Sequence, residues 1–80
     1  MSFYGLNQYE VGTRVKIASR QTLEDFQRTW KYHHPLQSEQ LSFAEHIAVV
    51  QEVSMYHGGD ILYILKDTPG TWHQRCLLAT

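Results

Sequence analysis

Eighty residues carrying seven basic and eight acidic side chains, for a formal net charge of −1, make one small domain that buries only about 60% of its unfolded surface. Ordinary apolar content with modest, balanced charge excludes an intrinsically disordered chain and a basic nucleic-acid binder. A single cysteine, Cys76, excludes an internal disulfide framework. The amino-terminal segment has no basic and apolar leader pattern, and no apolar run is long enough to span a bilayer. The expectation is a soluble cytoplasmic protein, one domain over 1–80, with no membrane contact. Charge near neutrality leaves association between copies open, because little repulsion keeps them apart.

Residues 1–10 read as an arm whose Phe3, Tyr4 or Tyr9 packs on the core edge. Val11 to Ala18 alternates, placing Val11, Val15 and Ile17 on one face of a first strand and Arg14 and Lys16 on the other. Thr22 to Asp25 has capping-box form, and Leu23, Phe26 and Trp30 then share one side of a short helix. Proline disfavours helical geometry in the residue before it, so the helix should stop by His33 or His34, ahead of Pro35. An ordered loop follows to Leu41.

The segment from Ser42 to Met55 supports two readings. Ser42 to Glu45 matches a capping box, and Phe43, Ile47 and Val50 would share a face of a helix over 43–54. Against this, the β-branched content of Ile47 to Val53 favours a strand with Ile47, Val49, Val53 and Met55 on one face. The strand is preferred because Gly58-Gly59 then closes a hairpin onto Ile61 to Leu65, which is apolar on both sides and so central. Asp67-Thr68-Pro69-Gly70 turns the chain into the short strand Thr71 to His73. Gln74 to Cys76 forms a single tight turn before a last strand, Leu77 to Ala79.

Three pieces, Gly12 to Ile17, Ala48 to Val53 and Gly70-Thr71-Trp72, occur in an order that resembles SH3-like barrels. The fold expected is therefore mainly β, a small SH3-like antiparallel barrel with one short helix in its first long loop. The alternative is an α+β fold with a helix at 43–54. The opening Val11-Gly12-Thr13-Arg14-Val15, with Tyr32-His33-His34-Pro35 in the first long loop, also resembles the variable chain of ferredoxin-thioredoxin reductase. That resemblance implies a non-catalytic subunit that clamps a catalytic partner.

Several chemical readings compete. Five histidines and one cysteine invite a zinc set of His73, Cys76, His57 and His34, but the second cysteine pair that makes such spacing persuasive is missing. Cys76 with His73 as nucleophile and base lacks an orienting carboxylate or oxyanion loop, and Gly58-Gly59 has no strand-to-helix phosphate context. Arg14, Lys16, Arg20, Arg28 and Lys31 are offset by acidic neighbours, which places nucleic acid behind protein as a partner. Trp30, Tyr63 and Trp72 are assigned to the core. The expected contact surface is Tyr32, His33, His34 and Pro35 from the first loop with Tyr56 and His57 from the hairpin. The sequence thus reads as a non-enzymatic interaction module without a cofactor.

Overall fold

Val11 and Gly12 form the middle of a turn that launches the first strand. Thr13 N–H donates to the Glu10 carbonyl at 3.0 Å, Gly12 has φ +94°, and the strand β1 begins only at Arg14, running Arg14–Ile17. Positive φ at the third position of such a turn is what glycine supplies. Val11 is consequently 65% exposed, and only Val15 and Ile17 of the expected trio face the core. The computed structural model describes residues 9–56 and 59–80. Of the amino-terminal aromatics, Tyr9 packs on Tyr63 with ring centroids 5.7 Å apart, and Phe3 and Tyr4 lie outside the described residues.

Helix α1 spans Arg20–Thr29. Its cap is Ser19, whose Oγ accepts the Thr22 N–H at 3.2 Å, so the capping box read at Thr22 is displaced by a hydroxyl one turn earlier. Asp25 is thereby free to pair with Arg28 on the helix surface. Leu23 and Phe26 are buried, and Trp30 follows the helix in extended geometry.

Where the sequence suggested a loop up to Leu41, Ser38–Phe43 forms a 3₁₀ helix capped reciprocally by Gln37 and Gln40. Gln40 is fully buried. Its Oε1 accepts the Gln37 N–H at 2.8 Å and its Nε2 donates to the Thr71 carbonyl at 3.1 Å. A Cβ on Gly70, which has φ +77°, would stand 2.8 Å from Gln40 Nε2. The amide therefore locks the long loop against the strand that follows Gly70.

The helix at 43–54 does not form. Glu45 adopts φ +67°, which ends helical geometry, and β2 runs Ile47–Met55. The buried side of β2 is the reverse of the one expected: Ala48 and Val50 face inward, whereas Ile47 and Met55 are exposed. Register explains the reversal, because Ala48 pairs with the buried Val15 and Ile47 with Lys16. A bulge between Val50 and Glu52 then shifts the alternation, so that Val53 packs against the core.

Strand β3, Ile61–Leu65, is paired on both sides, with β2 in the middle of the order β4-β3-β2-β1-β5. Strands β4, Thr71–His73, and β5, Leu77–Ala79, are as read, joined by a 3₁₀ turn at Gln74–Cys76. All pairings are antiparallel. Tyr63 and Trp72, partners across β3 and β4, are fully buried in the core with Val15, Ile17, Leu23 and Leu65. The next pair, Leu62 and His73, is also buried, and Phe26 of the core lies 4.8 Å from the His73 ring. Among the described residues no helix is long and apolar enough to cross a membrane.

Candidate partner-binding site

The hairpin joining β2 to β3 is closed at its neck. Tyr56 N–H donates to the Asp60 carbonyl at 2.8 Å and Gly59 N–H to the Tyr56 carbonyl at 3.0 Å. This places the Asp60 carboxylate against the segment that follows α1. There Asp60 Oδ2 lies 2.7 Å from His33 Nε2. A carboxylate only accepts, so His33 Nε2 carries the proton. His33 Nδ1 in turn lies 2.9 Å from His34 Nδ1. The two loops are thus tied by a chain from carboxylate to imidazole to imidazole.

Aromatic packing fixes the same junction. Tyr56 stacks on His33 with centroids 3.7 Å apart and planes 18° from parallel. Trp30 meets Tyr32 edge-on at 4.9 Å, and its indole N–H donates to the His33 carbonyl at 2.6 Å. His34 takes φ +49°, a left-handed conformation that reverses the chain ahead of Pro35. Beneath it, His73 Nε2 donates to the His34 carbonyl at 2.8 Å. Tyr32, His33, His34 and Tyr56 therefore form one shelf, with Trp30 and His73 as its support.

Exposure divides the group by role. Tyr32 is 71% and Tyr56 39% exposed, His34 and Pro35 are open to solvent, and His33 is half-buried between the loops. His57, the remaining expected contact, lies outside the described residues. His73 is buried, which lowers its pKa by penalising the charged ring; the His34 carbonyl opposes the shift and nearby His33 adds to it.

Of the residues weighed for zinc, His57 lies outside the described residues, and the other three have other surroundings. His73 donates to a backbone carbonyl, His34 bonds His33, and Cys76 is buried with its thiol pushed up to about 12 by desolvation. Among the described residues no group of three or more histidine, cysteine, aspartate or glutamate side chains is placed to hold a metal ion. A thiol raised this far is not ionised near neutrality and is a poor nucleophile.

Trp30, assigned to the core, packs against it and also supports the site, and His73, considered as a zinc ligand or base, instead donates to the His34 carbonyl. Asp60 enters the site only through the fold. The pairing of Asp60 with His33 spans 27 positions, and no local spacing encodes it. Its only local hint was an acidic residue closing a hairpin opposite a histidine-rich loop.

No protein-family model matches the chain, and no curated protein or solved structure matches it.

Proposed function

We propose that this protein is a non-enzymatic interaction module, an accessory subunit that engages a protein partner through the Tyr32, His33, His34 and Tyr56 shelf. The observation that carries this reading is two exposed tyrosines at the junction of two loops, Tyr56 stacked on His33 and Tyr32 set edge-on against Trp30. Rigid aromatic groups supply contact area with little entropy left to lose, which is what an interface anchor needs. The strand order supports an SH3-like barrel as the finer description of the fold, in which the first long loop and the hairpin after β2 flank a ligand groove. The segments Val11 to Val15 and Tyr32 to Pro35, similar to those of the ferredoxin-thioredoxin reductase variable chain, favour the same kind of role in a cytoplasmic assembly. Balanced charge keeps nucleic acid behind protein as the partner.

Affinity capture from the cells that make the protein tests this, comparing the native chain with Tyr32→Ala, His34→Ala and Tyr56→Ala. The partner recovered by the native chain should be lost or sharply reduced in the variants at equal folding. Equal recovery in all of them refutes the surface.

A further inference from the structure

Beside the shelf lies an open cleft of about 450 Å³ whose walls include Trp30, Asp60, Ile61, Gln74, Arg75 and Leu77. Its donors are held ready from below. Tyr9 N–H donates to Tyr63 Oη at 3.0 Å, and Tyr63 O–H donates to Gln74 Oε1 at 2.7 Å. The Gln74 carbonyl is thus consumed, and its Nε2 amide hydrogens are left uncommitted among the described residues. Arg75, next in the chain, lies with its guanidinium carbon 5.3 Å from the Trp30 ring and 5.6 Å from Phe26. This stacking orients the fork without using its N–H edges. None of the ion pairs among the described residues includes Arg75.

We infer that Gln74 and Arg75 form a carboxylate-binding site for an acidic side chain of the partner, a deepening that rests on the interaction role proposed above. A planar fork with an adjacent amide matches the two oxygens of a carboxylate. Asp60, which also lines the cleft, holds His33 through Oδ2, and its second oxygen can accept a backbone N–H. A cleft that offers both donors and an acceptor suits a peptide segment better than a free anion. The net charge of −1 gives acidic peptides no general attraction to this protein, so binding must come from the site.

Titration of the ¹⁵N-labelled full chain with a blocked hexaglutamate peptide tests this, with blocked hexaglutamine and inorganic phosphate as parallel arms. Hexaglutamate should shift the Arg75 Nε–H and Gln74 side-chain signals saturably. Arg75→Gln should weaken binding at least tenfold, Arg75→Lys several-fold, and Arg14→Gln on the remote strand β1 not at all. Absence of a saturable shift, an equal response to hexaglutamine, reproduction of the shift by phosphate alone, or equal loss in Arg14→Gln each overturns the inference. Partner loss in the shelf variants without hexaglutamate binding rejects only the acidic recognition. Unchanged partner capture rejects the interaction reading itself.

Discussion

Gly70→Ala and Gln40→Ala should be strongly non-additive. Gly70 sits at φ +77°, and an alanine there places its Cβ 2.8 Å from Gln40 Nε2 and 2.9 Å from Cδ. The left-handed conformation alone costs about 1–2 kcal/mol for a residue with a Cβ. Overpacking against the buried amide adds about 1–3 kcal/mol. Gln40→Ala removes two hydrogen bonds, to Gln37 N–H and the Thr71 carbonyl, together with a fully buried side chain. At about 1 kcal/mol per bond, plus desolvation of whichever group stays dry, it costs about 2–4 kcal/mol. In the double variant the clash has gone and only the backbone penalty is added. Its destabilisation should fall short of the sum of the singles by about 1–3 kcal/mol. Urea unfolding of all four proteins, read by Trp fluorescence, measures this, with heat unfolding shifted by about 4–8 °C per kcal/mol at this size. Costs that add to within about 0.5 kcal/mol would refute the idea that Gln40 is what makes Gly70 obligatory.

Other consequences follow from the buried titratable groups and the loop junction. Desolvation raises the Cys76 thiol to about 12, so alkylation by iodoacetamide at pH 8 should be far slower than for the urea-unfolded chain; equal rates would show an accessible thiol. The His73 pKa is lowered in the folded state, so below about pH 6.5 the unfolded chain binds the extra proton and stability falls on acidification. His73→Gln should flatten that part of the stability profile, and an unchanged slope below pH 6.5 would show that His73 is not its source. Asp60→Ala removes the carboxylate that holds His33, in a partly exposed setting worth about 1 kcal/mol. Amide exchange should quicken at Tyr56 and His33 while β1 is unaffected; uniform change would place the effect in global stability.

The elements whose limits were legible in the sequence are those bounded by turn chemistry. Pro69-Gly70 and the Gln74 to Cys76 turn frame β4 and β5, and the hairpin closed by Tyr56 and Asp60 opens β3. Misreadings arose where a tertiary partner decided between local options. Ile47 and Ala48 are both apolar, and only the register against β1 chose Ala48 for the core. Thr22 is as good a cap as Ser19 by residue type, and the chain's entry from β1 selected Ser19. Gln40 looks like a surface residue until the loop folds back onto Thr71. The site shows the same division. Tyr32 to Pro35 and Tyr56 stood out as aromatic and imidazole side chains in loops, whereas Asp60, His73 and Arg75 join them only through long-range packing.

The central claim, that the shelf joining the first loop to the β2–β3 hairpin meets a protein partner, is tested most directly by placing a photo-crosslinking phenylalanine analogue at Tyr32. The comparison is the same analogue at Ile47, which is 49% exposed on the outer face of β2. After irradiation in living cells, the Tyr32 position should give a discrete higher-mass adduct containing one partner protein, and the Ile47 position should not. No adduct at Tyr32, or the same adduct from both positions, would contradict the account.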